Sequence, residues 1–166
     1  MLIEKLKQRF GAGIVRADDV RGEQTAVIAR ERAPEIFRVL RDDPEFAFEL
    51  LIDVTAVDWP NRQPRFEVVY HLNSIARGHR LRAKIEVAAQ DAWVHSAYPM
   101  WKSADWLERE CYDMFGIEFR GHPDLRRILL YDSFNGHPLR KDYPYQKRQP
   151  LVAETDPVVK PLRSTR

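Results

Sequence analysis

Two glutamates separated by one residue, Glu108 and Glu110, are the first side chains in this sequence that could do chemistry. Paired carboxylates act as general acid and general base when their surroundings displace their pKa values in opposite directions. Side chains two positions apart on a helix do not face each other, however, so these two cannot share one site. We therefore favour structural pairing with arginines or backbone amides over catalysis.

Metal and nucleotide chemistry find few residues of the required types. An iron–sulfur cluster usually needs four thiolates, and zinc would lack a second sulfur ligand, because Cys111 is the single cysteine. It permits no internal disulfide and suggests a reducing compartment. The seven glycines are never spaced as in a dinucleotide-binding or Walker loop. Five histidines occur without an HExxH motif or other helical pairing: His71, His79, His95, His122 and His137.

The two glutamates lie in a predicted helix, 103–115. Ser103 is a good N-cap residue, and Gly116 can end the helix in the left-handed conformation. The glutamates flank an apolar stripe made of Ala104, Leu107, Cys111, Met114 and Phe115.

The other charges of this helix also need partners. Arg109 and Asp113 point away from the stripe as an i,i+4 pair. Charges beside a buried stripe stay buried only when they are paired. We therefore hypothesise that one arginine of the pair Arg126-Arg127 binds one of the two glutamates and clamps the helix to the segment after His122.

Two dipeptides, His122-Pro123 and His137-Pro138, each follow a glycine, which is typical of a tight turn with a polar anchor. We favour turn-anchoring or interface roles for both histidines over proton relay. The aromatic side chains around the helix are interpreted as core: Trp93, Tyr98, Trp101 and Trp106.

These residues form two ordered blocks. The first contains Glu108-Arg109-Glu110, Asp113-Met114-Phe115, His122, Arg126 and Ile128-Leu129, and the second runs from Gly136 to Pro144 as GHPLRKDYP. Together they resemble the signature of the thirty-kilodalton subunit of respiratory complex I, the proton-pumping NADH–quinone oxidoreductase. Their candidate signature and interface residues are Glu108, Arg109, Glu110, Asp113, His122, Arg126, Arg127, Gly136, His137, Pro138, Arg140, Lys141, Asp142 and Tyr143.

The resemblance implies a non-catalytic structural subunit of the peripheral arm, beside the quinone-reducing module. NADH, FMN, iron–sulfur clusters and quinone would be bound by other subunits, and this chain would hold no redox centre. Its expected partners are the larger quinone-site subunit, related to hydrogenase large subunits, and the subunit with the terminal iron–sulfur cluster. The expected location is the cytoplasmic face of the cell membrane, reached through partners. A ferredoxin-, F420H2- or hydrogenase-linked relative of complex I is the alternative.

The elements that position these blocks are predicted from hydrophobic periodicity. Helices are expected over residues 2–10 and from Pro34 to about Asp43, with a hairpin of strands 14–20 and 24–29 between them. Three alternating strands follow. Their inward faces are expected to be Phe48, Leu50, Ile52 and Val54; Phe66, Val68, Tyr70 and Leu72; and Leu81, Ala83, Ile85 and Val87.

The third strand carries Arg80, Arg82, Lys84 and Glu86 opposite its apolar face, which is typical of a sheet with one wet face. The fold class is therefore α+β: a mostly antiparallel sheet with helices packed on one face, followed by an extended C-terminal tail. We divide the chain into an α+β core domain (1–116), a signature loop segment (117–144) and a partner-docking tail (145–166).

Composition is consistent with one ordinary globular domain, at 44% hydrophobic and 31% charged residues. No apolar run approaches the ~20 residues that cross a bilayer, and the N-terminus has no signal-peptide pattern. Residues 117–166 hold 10 basic and 6 acidic side chains, against 17 and 19 before them. A basic C-terminal third favours an acidic protein partner. An RNA-binding module and an independent small enzyme are the disfavoured alternatives from other classes.

Overall fold

A computed structural model of the protein describes residues 2–149. The helices are α1 (Leu2–Phe10), α2 (Ala33–Asp42) and α3 (Ala104–Phe115). The strands are β1 (Ile14–Val20), β2 (Glu23–Ile28), β3 (Leu50–Asp58), β4 (Phe66–Ser74), β5 (His79–Val87), β6 (Trp93–His95) and β7 (Glu118–Arg120). Short 3-10 turns cover Gly11–Gly13, Arg30–Arg32 and Ala89–Asp91.

Five strands form one sheet in the order β1-β2-β5-β4-β3. All neighbours are antiparallel except β2 and β5, which are parallel. Strands β6 and β7 form a separate parallel pair beside it. The predicted α+β class with a mostly antiparallel sheet is confirmed, and so are the hairpin and the helices before β3.

The alternating faces of β4 and β5 are confirmed, since every predicted inward residue of both strands is buried. The prediction for β3 is wrong at Leu50 and Ile52, which are exposed. A register shift between Leu51 and Asp53 moves the first residues of this strand to the opposite face. A single extra residue exchanges the two faces of a strand, so simple alternation fails there.

The helices and the inner face of the sheet share one apolar core. The Phe37 ring of α2 lies 4.8 Å from Tyr70 of β4 and 5.7 Å from Trp101. The buried Trp101 indole donates to the Phe48 carbonyl at 3.0 Å, which satisfies its one polar atom. The core interpretation of the aromatics is wrong at two positions: Trp106 is 69% exposed, and Trp93 packs against Arg30 and Arg120 outside the shared core.

The outer face of the sheet is less wet than expected. Arg62, from the loop between β3 and β4, folds across it and donates to Glu67 at 2.7 Å and to Glu86. Lys84 binds the other oxygen of Glu67 at 3.0 Å, and this carboxylate is buried. The charges of this face are therefore used to bind one another.

Helix α3 lies along the free edge of β3. The Ser103 hydroxyl donates to the Leu51 carbonyl at 3.0 Å, and the Cys111 thiol lies 3.4 Å from the Val54 carbonyl. Ser103 is the N-cap residue, as predicted, but it makes no cap hydrogen bond because its hydroxyl is used by this strand edge. The predicted end of the helix is confirmed at Gly116, which has φ 69° and donates to the Tyr112 carbonyl at 2.8 Å.

Candidate interaction surface

Residues 121–149, here called the strap, follow β7 and contain no helix or strand. A segment without regular structure must satisfy its backbone polar groups through other contacts. Several of the signature residues predicted from the sequence lie where the strap meets α3, among them Arg109, Asp113, Arg127 and His137. How they fasten it decides which of them remain available to a partner.

Asp113 of α3 is fully buried and is the centre of this fastening. Its Oδ1 receives the Arg127 guanidinium at 2.5 Å. Its Oδ2 receives three consecutive strap amides at 3.1, 2.9 and 2.9 Å, those of Ile128, Leu129 and Leu130. Burial opposes ionisation, but the Leu130 amide, the Arg127 guanidinium and the other two amides together hold the pKa of Asp113 below its ordinary value.

The arginines bind mostly backbone carbonyls of the strap. Arg127 also donates to the carbonyls of Phe134 and Gly136, at 3.0 and 3.1 Å. Arg109 donates to the carbonyls of Arg126 and Arg127, at 3.2 and 3.1 Å. The expected Arg109–Asp113 pair is therefore wrong. An i,i+4 pair is worth only about 0.5 kcal/mol, and the buried ion pair with Arg127 outweighs it.

The predicted contact of Arg126 or Arg127 with one of the two glutamates is also wrong within the described residues. Glu108 is buried, and its carboxylate accepts from the Ser96 hydroxyl and the Ala97 amide, both at 2.6 Å. Glu110 is exposed, and its side chain makes no hydrogen bond within residues 2–149. The two carboxylates form no common site, as predicted. Glu108 accepts from a backbone amide as expected, whereas the expected structural pairing of Glu110 is wrong within the described residues.

Both histidines anchor the strap, as expected. The Nδ1 atom of His122 accepts from the Asp124 amide at 3.0 Å, which assigns the proton to Nε2 for its 3.1 Å contact with the Asp105 carbonyl. His137 donates through Nδ1 to the Asp113 carbonyl at 2.9 Å. Burial, with smaller contributions from Arg140 and Arg127, lowers the pKa of His137, so the ring is neutral at pH 7.

The second signature block is fastened to the end of β3. Arg65 binds both oxygens of the buried Asp58 at 2.7 and 2.8 Å and extends to Asp142 at 2.8 Å. The Lys141 amide donates to Asp58 at 2.7 Å, and the Arg140 guanidinium binds the Phe115 carbonyl. The Arg65 guanidinium is the main reason that the pKa of Asp58 lies below its ordinary value.

The remaining signature residues lie in the middle of the strap. Gly136 has φ 109°, and a Cβ there would lie 2.8 Å from the Tyr143 ring. Tyr143 stacks on Phe134 at 6.1 Å, and its hydroxyl accepts from Gln149 at 2.8 Å. Pro138 is half-buried. This ring packing stabilises a segment that has no helix or strand hydrogen bonds of its own.

The outward side of the strap carries groups that these contacts do not use. Leu129, Leu139 and Tyr145 are 62%, 50% and 91% exposed. The Arg126 side chain is exposed and binds only its neighbour Asp124. Three exposed cations of the strap have no acidic partner within residues 2–149: Lys141, Lys147 and Arg148. Exposed apolar and cationic groups on a fixed backbone are suited to a protein interface.

The described residues offer little for other kinds of site. Between residues 2 and 149, no group of three or more His, Cys, Asp or Glu is placed to hold a metal ion. No helix in that range has the length and apolarity to cross a membrane. Five open pockets on the described surface are lined by neither Glu108 nor Asp113.

A family profile described as "Respiratory-chain NADH dehydrogenase, 30 Kd subunit" matches residues 26–149, which include α3 and the strap. The chain belongs to this family. The recognition made from the two signature blocks is therefore confirmed.

Individual relatives agree with this family. The chain is 49% identical over 144 residues to the C subunit of the NADH-quinone oxidoreductase of Citrifermentans bemidjiense, covering 87% of this chain and 88% of that protein. It is 47% identical over 139 residues to the protein of the same name from Agrobacterium fabrum, covering 84% and 69%. By its family, the chain is a subunit of a respiratory NADH–quinone oxidoreductase and supports that activity as part of the complex.

Two solved structures share the fold. One is titled "Nqo5 of the trypsin-resistant fragment (1-134) in P63 form", with TM-score 0.66, 33% identity and coverage of 75% of this chain and 100% of that one. The other is a chain of the membrane-bound sulfane sulfur reductase, described as an archaeal respiratory membrane complex. It has TM-score 0.70 and 20% identity over 93% of this chain and 95% of that chain, which shows the shared fold.

Sequence reasoning missed several residues that matter here. Asp58 ends β3 and Arg65 precedes β4 without any motif, and they contact the strap only because β3 ends beside it. Ser96 and Ala97 lie in a turn whose contact with Glu108 no local pattern marks. The division at residues 116 and 144 stays a prediction, and residues 150–166 of the expected docking tail lie outside the described part of the chain.

Proposed function

We propose that this chain is a non-catalytic structural subunit of the peripheral arm of a proton-translocating NADH:quinone oxidoreductase, next to the quinone-reducing module. In this proposal the strap holds two neighbouring subunits in fixed geometry: the larger quinone-site subunit and the subunit with the terminal iron–sulfur cluster. NADH, FMN, the clusters and quinone are bound by those and other subunits. The assembly lies at the cytoplasmic face of the membrane, and this chain reaches the membrane only through its partners.

The observation that carries the proposal is that the signature residues have two roles: some bind the strap to α3, and others are exposed on it. Asp113, Arg127 and His137 bind the strap to α3, so they fix its backbone and are not available to a partner. Leu129 projects outward because the amides on both sides of it and its own amide turn inward to Asp113. Signature residues that fix the backbone of an otherwise irregular segment support a scaffolding role.

Charge indicates the kind of surface that the strap meets. Lys141, Lys147 and Arg148 have no acid to bind within the described residues, whereas Asp142 is already bound to Arg65. Unpaired cations beside the exposed Tyr145 favour an acidic partner surface with an apolar slot. The larger quinone-site subunit is our proposed owner of that surface.

Purification of the tagged chain from its native membrane tests this proposal. Companions with flavin and iron–sulfur absorbance are expected, and detergents that split the complex should remove them together. A chain that purifies alone, or with a prosthetic group of its own, contradicts the proposal.

Charge reversal tests the surface. Lys147→Glu with Arg148→Glu should reduce recovery of the assembled complex. The matched control is Lys7→Glu with Arg21→Glu, which reverses two exposed cations far from the strap in sequence. Truncation after Pro144 should likewise weaken assembly. Full assembly and activity of both strap variants would exclude this surface.

The fold shared with the archaeal sulfane sulfur reductase chain supports one second candidate: the same subunit type in a relative of complex I with another electron donor, such as ferredoxin, F420H2 or a hydrogenase module. Neighbouring genes for NADH- and flavin-binding subunits would decide between them. The RNA-binding alternative gains no support, because Arg82 and Lys84 of the outer sheet face bind Glu23 and Glu67.

A further inference from the structure

Glu108 differs from the other buried acids of the described residues in having no cation. The buried acids are Asp58, Glu67, Glu108 and Asp113. Asp58 is bound by Arg65, Glu67 by Lys84 and Arg62, and Asp113 by Arg127. Within residues 2–149, Glu108 receives only neutral donors. A buried carboxylate without a cation is costly in its charged form.

The neutral donors come from the turn of residues 96–98, which follows β6. The Ala97 amide donates to Oε1 and the Ser96 hydroxyl to Oε2, both at 2.6 Å. The same hydroxyl oxygen accepts from the Tyr98 amide at 3.1 Å, so its hydrogen is directed to Glu108. Glu108 thus fastens the turn to α3 through a single carboxyl group.

Among the described residues, no titratable group that acts on Glu108 supplies positive charge. Asp105, one turn earlier on α3, adds negative charge, while Tyr70 of β4 and Cys111 of α3 face it from the core. Burial raises the pKa of both the phenol and the thiol, so both are neutral at pH 7. The Tyr70 hydroxyl is buried and has no hydrogen-bond partner among the described residues.

We propose that Glu108 is a proton-binding site that alternates between its protonated and ionised forms and so changes how the 96–98 turn is fastened to α3. When ionised, it accepts two charge-assisted hydrogen bonds from the turn. When protonated, it carries a donor of its own, and the bond to Ser96 must reverse for that donor to be used. In agreement, burial, with a smaller contribution from Asp105, raises the pKa of Glu108 to about 7 against its two hydrogen bonds.

The turn transmits this state to the start of the strap. The Ser96 amide donates to the Arg120 carbonyl at the end of β7, at 2.9 Å. The Tyr98 ring lies 5.9 Å from the His122 ring, which itself binds Asp105. The proposal rests on this geometry and not on the proposed function, so either can fail without the other.

Nuclear magnetic resonance of the full chain, with labelled glutamate carboxyl carbons and backbone amides, tests the proposal. We expect the Glu108 carboxyl carbon and the Ala97 amide to titrate together with a midpoint near 7. The Glu108→Gln variant should lose that carboxyl signal and the Ala97 titration. A Glu108 midpoint below about 5, in the ordinary glutamate range, overturns the proposal.

Two serine variants keep the test decisive if Glu108→Gln does not fold. Ser96→Ala removes one donor to the carboxylate and should raise the midpoint by about half a pH unit or more. Ser103→Ala is the matched control, because that hydroxyl binds the Leu51 carbonyl and not a carboxylate. An unchanged midpoint in Ser96→Ala, or an equal shift in Ser103→Ala, shows that the turn is not coupled to Glu108.

Discussion

The Asp113 carboxylate and the Arg127 guanidinium form a buried ion pair at 2.5 Å that joins α3 to the strap, and the same carboxylate also receives three consecutive strap amides. The Asp113 carboxylate therefore takes the place of the backbone hydrogen bonds that a neighbouring strand would have made with this segment. Arg127 extends the arrangement, since its second nitrogen binds two further strap carbonyls. The fold of the strap depends on this pair.

Replacement of Asp113 by asparagine should cost about 3–5 kcal/mol of unfolding free energy, because it leaves the Arg127 charge buried without its partner. Chemical denaturation of the full chain measures this cost. Asp132→Asn is the control, as Asp132 is exposed and its side chain makes no hydrogen bond within residues 2–149. Equal stability of the two variants would show that the ion pair does not hold the strap.

Gly116→Ala should destabilise the protein more than Gly78→Ala. Both glycines have positive φ, 69° and 64°, and an L residue there costs about 1–2 kcal/mol. Only Gly116 adds a collision, since a Cβ would lie 2.5 Å from Nε2 of His137, whereas nothing lies within 4 Å at Gly78. Overpacking of this kind costs about 1–3 kcal/mol more. Thermal unfolding measures both variants, and equal losses would mean that the His137 contact is easily relieved.

Acid should reduce the stability that His137 contributes, because its half-buried ring must then carry a charge in the folded protein. The pKa of His137 is lowered in the folded state, so the unfolded chain binds more protons as pH falls through about 6.5, and stability falls with it. One such group contributes at most about 1.4 kcal/mol per pH unit. The stability advantage of the wild type over His137→Asn should therefore shrink below pH 6.5, as measured by denaturation at several pH values.

Glu108 works in the opposite direction, because its pKa is raised and its contribution is lost as pH rises from about 4.5 to about 7. Both the wild type and the His137→Asn variant contain Glu108, so its pH-dependent contribution cancels when their stabilities are compared. Gly78→Ala, which changes no titratable group, should differ from the wild type by a constant amount over the same range. A constant difference for His137→Asn as well would contradict the predicted burial effect.

Asp58→Asn should release the second signature block. The substitution weakens the bonds from Arg65 and from the Lys141 amide, so local opening around residues 139–142 becomes easier. A loss of about 1.4 kcal/mol in local stability makes opening tenfold more frequent. Trypsin cleavage after Arg140 and Lys141 should accelerate accordingly. Asp53→Asn is the control, since the Asp53 side chain makes no hydrogen bond within the described residues, and equal cleavage rates would contradict the prediction.

Much of the fold could be predicted because it follows from local periods. The inward residues of β4 and β5 recur at every second position, and the apolar stripe of α3 follows a helical period. Gly116 could be predicted as the end of α3, since glycine adopts positive φ at little cost. The first residues of β3 could not be placed, because a register shift depends on how two strands pair and leaves no trace in composition.

The candidate site, like the fold, could be predicted only in part from the sequence. The sequence indicated which residues are unusual, and it predicted anchoring roles for His122 and His137, but it paired the charges wrongly. Asp113 binds Arg127 and Glu108 binds the 96–98 turn, although nearer partners of opposite charge were available in sequence. Burial decides this choice: a carboxylate removed from water must take the donors that its position offers.

The amino-acid sequence by itself determined the family of this protein, its three helices, the strands of the main sheet apart from the start of β3, and the concentration of chemistry in α3 and the strap. It could do so because these properties are written in spacings of one to a few residues. Only the tertiary structure decided which polar groups meet. Asp58 and the Lys141 amide, for example, are 83 positions apart and come together through the path of β3. Such contacts follow from packing of the whole chain, which no local period records.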